Sequence, residues 1–121
     1  MSGAVATDTF DRVCAARPGA YRVIQWGGAT VWKVGPKVFA IGAALREGGW
    51  GVSVKVSPIA FEALRNMAGY RPAPYLASRG MTWLQVRCDS VDWEETASLI
   101  DMSYRLVTAA LPARTRLELG L

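Results

Sequence analysis

The chain has 121 residues, 51% of them apolar and 20% charged, proportions that suit one folded domain and exclude a disordered segment. Its longest apolar runs are only a few residues, too short for a membrane-spanning helix. It contains no histidine, which rules out an imidazole acid–base pair, a Ser–His or Cys–His nucleophile and a Cys/His zinc site. Lys and Arg number 14 against 10 Asp and Glu, a net charge of +4 that permits an anionic partner without requiring one.

Met1 to Thr9 has neither the basic start nor the apolar stretch of a secretion signal, so the cytosol is the expected compartment. A first helix is predicted from about Asp8 to Arg17. Thr7 or Asp8 caps it, Asp11 sits in its positive first turn, and Phe10, Val13 and Cys14 form its apolar side. Pro18-Gly19 ends it. Four strands follow, Tyr21–Trp26, Thr30–Val34, Val38–Ala43 and Trp50–Val56, each rich in β-branched or aromatic residues. Gly27-Gly28, Gly35-Pro36 and a loop holding Glu47-Gly48-Gly49 separate them, which predicts an antiparallel meander.

Ser57-Pro58 reads as an N-cap followed by proline at the first helical position. The helix it opens is predicted over Pro58 to Ala68, with Phe61, Leu64, Met67 and Ala68 on one side. The prolines of Tyr70–Tyr75 forbid regular helix there. A fifth strand is predicted at Met81–Arg87, then a long helix from about Ser90 to Ala110. On that helix Trp93, Ala97, Ile100, Tyr104, Val107 and Leu111 form the apolar stripe, and Asp101 and Arg105 make an i,i+4 pair. Ser103-Tyr104 reads as close packing with a buried hydroxyl bond. The tail beyond Pro112 is expected to be loosely held. Cys14 and Cys88 are expected as small buried apolar residues and not as a disulfide. The fold class is therefore α+β: two layers, an antiparallel sheet of about five strands with helices packed on one face, forming one domain with its core over about residues 8–112.

Several segments, in order, carry a resemblance. Arg17-Pro18-Gly19-Ala20, Trp26-Gly27, Val31-Trp32-Lys33-Val34-Gly35, Lys37-Val38-Phe39-Ala40, Val52-Ser53-Val54-Lys55-Val56, Arg71-Pro72-Ala73-Pro74-Tyr75-Leu76, Trp83 and the stretch from Ile100 to Pro112 together resemble the MmcQ/YjbR family. The resemblance implies a CyaY-like fold, related in shape to frataxin, and a proposed "double-wing" mode of DNA binding. Gly80-Met81-Thr82 departs from the pattern, replacing histidines that often precede the strand tryptophan in the family.

Strand parity offers a surface for that role. If the apolar sides face the helices, Lys33, Ser53, Lys55, Trp83, Gln85 and Arg87 fall on the opposite face. Lys33, Lys55 and Arg87 would then hold phosphates and Trp83 would stack on a base, with Arg71 and Arg79 adding phosphate contacts from the proline loop. The bland reading is a solvated face whose Lys and Arg stems cover the strands. An alternative is a non-enzymatic protein or small-ligand binding module centred on Arg71–Leu76 and Trp83. Iron handling, suggested only by the frataxin-like shape, lacks a carboxylate ridge: Asp89, Asp92, Glu94 and Glu95 are better placed to favour a helix N-terminus. No glycine-rich phosphate loop opens a helix, and the serines have no base, so the protein is expected not to be an enzyme. No cofactor and no metal are expected, and DNA is the expected partner of a monomeric protein.

Overall fold

The structure is a computed structural model describing residues 3–25, 27–74, 76–77 and 80–121. In chain order its elements are α1 (Gly3–Ala15), β1 (Ala20–Gln25), β2 (Ala29–Val34), β3 (Lys37–Ala44), β4 (Trp50–Lys55), α2 (Pro58–Leu64), β5 (Tyr70–Pro72), β6 (Trp83–Arg87), α3 (Trp93–Ala109) and α4 (Ala113–Glu118). Tight glycine turns make β1 to β4 a meander, as predicted. The chain then leaves β4 through α2, lays β5 at the far border and returns as β6 between β4 and β5. The result is one antiparallel sheet of order β1-β2-β3-β4-β6-β5.

That sheet has six strands where about five were expected. The extra one is Tyr70–Pro72, inside the proline segment. Proline lacks the N–H that an interior strand needs on both sides, but a border strand needs partners on one side only. Arg71 pairs with Gln85 and Pro72 with Leu84.

Helices α1 and α3 cover one face. Phe10, Cys14, Val52, Val54, Leu84, Val86 and Ile100 are among the fully buried or nearly buried side chains between the layers. Ala6, Phe10 and Cys14 recur every four residues, so α1 begins earlier than its expected cap, and Thr7 and Asp8 lie within it. Asp11 is consequently mid-helix and serves a different purpose. Its carboxylate accepts from Trp32 Nε1 at 2.9 Å and Arg22 Nη1 at 2.8 Å, tying α1 to β2 and β1. Ser57 caps α2 as expected, accepting from Ala60 N at 3.2 Å. Asp92 caps α3, accepting from Glu95 N at 2.8 Å. Helix α2 stops at Leu64, which leaves Met67 54% exposed instead of in the core.

The tail is a further correction. Residues Ala113–Glu118 form α4, and Leu119 packs against the core. Gly35, at φ +58°, is what admits it: a Cβ there would stand 3.3 Å from Leu119 Cδ1 and 3.6 Å from Thr115 Cγ2. The cysteines are both free and buried. Burial pushes the Cys88 thiol up to about 12 and raises that of Cys14 as well, so neither is a reactive thiolate.

Gly42 is the tightest point between the layers. The Phe10 and Trp50 rings meet edge to face, with centroids 5.2 Å apart, directly over it. A Cβ at this position would lie 2.2 Å from Trp50 Cη2 and 2.7 Å from Phe10 Cε2. Gly42→Ala should therefore displace the ring pair and lower stability by about 1–3 kcal/mol, the usual cost of overpacking. Urea denaturation followed by tryptophan fluorescence checks this; an unchanged midpoint would contradict it.

Candidate functional site

The site is built around one interrupted rung between β3 and β4. Their pairing register ends at Ala40–Val54, and the next bond of that ladder would run from Lys55 N–H to Phe39 C=O. The Ser103 hydroxyl of α3 stands in that place instead. It accepts from Lys55 N at 2.9 Å and donates to Phe39 O at 2.6 Å. Phe39 is also the bulged residue of β3: Trp32 pairs with Ala40 and Lys33 with Val38, so Phe39 has no opposite number. Phe39 and Ala40 are both completely buried as a result, with the Phe39 ring edge-on to Tyr104 at 5.4 Å. Tyr104 in turn donates to Pro18 O at 2.5 Å, so both members of Ser103-Tyr104 carry the structural hydroxyl bonds expected of them.

Beyond Ser103 the two strands part and a cleft of about 470 Å³ opens between the start of β3 and the end of β4. Val107 and Ala110, four and seven residues after Ser103 on the same helix face, form one wall. Val38, Ile41, Leu76, Met81 and Trp83 supply much of the rest, with Lys37 and Lys55 as the two cations.

The register places the parity-predicted residues on the sheet face away from α1 and α3, since cross-strand partners share a face: Lys55 pairs with Trp83, Ser53 with Gln85, and Gly51 with Arg87. It also divides them between two ends of the sheet. Four residues separate Trp83 from Arg87, about 13 Å at ~3.3 Å per residue. At the Arg87 end, Arg71 Nη1 lies 2.7 Å from Glu47 Oε2 and its Nε donates to Gln85 Oε1 at 2.5 Å. Arg87 Nε donates to Asp89 Oδ1 at 3.0 Å, and its Nη1 is 3.7 Å from the same Glu47 oxygen. A hydrogen bond from its own backbone and one from Arg71 hold the Glu47 carboxyl below the usual range, and Arg87 lowers that of Asp89. The two arginines expected to hold phosphates are thus largely neutralised within the protein.

The other end is different. Lys33 is the penultimate residue of β2, Lys37 opens β3 and Lys55 closes β4, so the three lysines of the chain share one end of the sheet. None of them forms an ion pair among the described residues. Lys37 was missed by sequence reasoning, although its place after the Gly35-Pro36 turn marks it as a strand-end residue facing Val34. Trp83 needs a correction in exposure. It lies on the expected face but is only 5% exposed, so its ring cannot stack on a base as anticipated. Leu76 and Met81 share the cleft wall with it, and its Nε1–H is buried with no acceptor among the described residues. Arg79 and Tyr75 lie outside the described residues. The acidic residues expected at a helix start divide the same way: Asp92 and Glu94 and Glu95 serve the first turn of α3, while Asp89 belongs to Arg87.

A family model, YjbR, matches residues 15–106, most of the chain and every strand of the sheet. The chain belongs to the YjbR family. The sheet with helices on one side also has a counterpart in a crystal structure of a protein from Pseudomonas syringae, a structural genomics target. That likeness has a TM-score of 0.68 over 88% of this chain and 98% of the other, at 18% identity, and bears on the fold alone. No curated protein matches the sequence. Among the described residues no helix is long and apolar enough to cross a membrane.

Two measurements check this geometry in the YjbR-family chain. Ser103→Ala leaves two buried backbone groups without their shared partner, so stability should fall by about 2–4 kcal/mol, and the Lys55 amide should exchange with solvent much faster. Native-state hydrogen exchange resolves that residue; retained protection at Lys55 would show that the rung closes without the hydroxyl. At the arginine end the lowered Glu47 carboxyl makes its ion pairs a contribution that is present above its ordinary value of 4.5 and is lost as the pH falls through the lowered one. The difference in urea midpoint between wild type and Glu47→Gln should accordingly shrink on acidification below that value, and a difference independent of pH would contradict the pairing.

Proposed function

We propose that this YjbR-family protein is a non-catalytic, cytoplasmic DNA-binding protein that acts as a monomer and holds phosphates with the lysine end of its sheet. The observation that carries this reading is that Lys33, Lys37 and Lys55 lie at one end of three adjacent strands and form no ion pair among the described residues. Neighbouring strands are about 4.8 Å apart, so three ammonium groups on flexible stems can follow successive phosphates of one DNA strand. The resemblance to a family with a proposed double-wing DNA-binding mode supports the same partner. Arg71 and Arg87 play a smaller part than their charge suggests, because Glu47 and Asp89 already occupy them. Trp83 acts by packing and not by stacking.

Three phosphate contacts imply weak binding, with Kd on the order of 10⁻⁴ to 10⁻⁶ M and a slope of log K against log salt near about −3. The test is a fluorescence-anisotropy titration with a duplex oligonucleotide at several salt concentrations. Lys33→Gln, Lys37→Gln and Lys55→Gln should each weaken binding and flatten the salt slope by about 1, while Trp83→Phe leaves both almost unchanged. Absence of binding at low salt, or indifference to all three lysine changes, would overturn the proposal.

A second reading, a small-ligand binding module, is favoured by the cleft at Trp83. Its centre moves from the Arg71–Leu76 loop to the β3–β4 opening, because the Arg71 guanidinium is committed to Glu47 and Gln85.

A further inference from the structure

The geometry points to the β3–β4 cleft as a binding site for an amphipathic anion, a carboxylate carried on an apolar body of medium-chain fatty-acid size. This inference rests on the small-ligand reading and not on DNA binding. Its volume, about 470 Å³, falls in the usual range for small-molecule sites. Of the ten described residues that line it, eight are apolar and the other two are Lys37 and Lys55. A bare polyanion would leave those apolar walls unfilled, and a neutral hydrocarbon would leave both ammonium groups unpaired. A molecule with one acidic head and an oily body satisfies both.

Trp83 supplies an independent reason to expect an acceptor. Its indole is 95% withdrawn from solvent, given its 5% exposure, and its Nε1–H has no hydrogen-bond partner among the described residues. Buried donors of this kind nearly always have one, and leaving the donor unmade is costly. Lys55 and Trp83 are cross-strand partners and both line the cleft, so a carboxylate paired with Lys55 is seated beside the indole. Two other concavities offer less. The depression at Glu47, Arg71 and Arg87 is about 100 Å³ and its charges are already balanced. The surface around Ser98, Asp101 and Arg105 is shaped by an ion pair within α3.

The test uses the full chain without DNA. Decanoate is titrated by calorimetry and by displacement of 8-anilinonaphthalene-1-sulfonate, with decanol as the uncharged control. Decanoate should bind at one site and displace the dye, and decanol should bind at least tenfold more weakly. Lys37→Gln and Lys55→Gln should each weaken decanoate severalfold while leaving decanol unaffected. Ala110→Trp, at an exposed position where folding is easily verified by circular dichroism, should fill the cleft and abolish binding. The Trp83 indole N–H resonance, identified with Trp83→Phe, should move on adding decanoate. Equal affinity for decanoate and decanol, or decanoate binding that survives Ala110→Trp, would overturn the proposal. If the dye binds in an Ala110→Trp-sensitive way but decanoate does not, the carboxylate assignment fails while the ligand-module reading stands. If neither binds there, both fail.

Discussion

One hydroxyl group decides where this sheet is continuous and where it opens. The Ser103 side chain replaces a backbone bond between β3 and β4, and everything at that end of the molecule follows from the substitution. Held apart, the strands leave the end of α3 open, so Val107, which also packs in the core, and the exposed Ala110 line the cleft. The same separation sets Lys37 and Lys55 on opposite lips of the opening. A bulge at Phe39 is compatible with it, because a residue released from pairing with β2 turns its ring inward against Tyr104. Two local irregularities in one strand thus support each other, where either alone would leave buried backbone groups unmatched.

Charge is sorted by residue type. Among the described residues seven arginines stand in ion pairs, including Arg17 and Arg105 on the single carboxylate of Asp101 and Arg22 on Asp11. The planar guanidinium suits such fixed, partly buried attachments, and here it fastens α1, the sheet and the loops to one another. Among the described residues the three lysines, at one end of the strands, form no ion pair. A count of net charge conceals this, since half of the fourteen positive side chains are engaged in ion pairs.

Much of the architecture was legible because it is written in short-range signals. Alternating valines, paired glycines and the Ser57-Pro58 step located the meander and α2, and strand parity separated Ser53, Lys55, Trp83 and Gln85 from the face that meets α1 and α3. What was not legible depends on contacts between distant residues. Register decides which end of the sheet a cation occupies, and the alternation of a single strand carries no such information. Glu47 sits in a loop, and nothing local marks it as the partner of Arg71 and Arg87. Trp83 follows the outward parity yet is buried, because the connection from β5 brings Leu76 and Met81 beside it. The burial of Ser103 was legible from its place beside Tyr104, but its two partners, Lys55 N and Phe39 O, lie on distant strands that nothing local identifies. Helix α4 depends on a vacancy above Gly35 that exists only once the β2–β3 turn has formed.

The two borders of the sheet are unequal. On one side the last strand is three residues long and ends at Pro72, whose missing N–H makes it a poor template for another chain. The opposite border, β1, runs for six residues, half-exposed or exposed throughout, and carries Ile24 at 61% exposure. One margin is therefore blunted, while the other presents the largely apolar run Ala20–Gln25. Under crowding or partial unfolding, strand-to-strand accretion would begin at Ala20–Gln25, making an added charge at Ile24 the most economical safeguard against it.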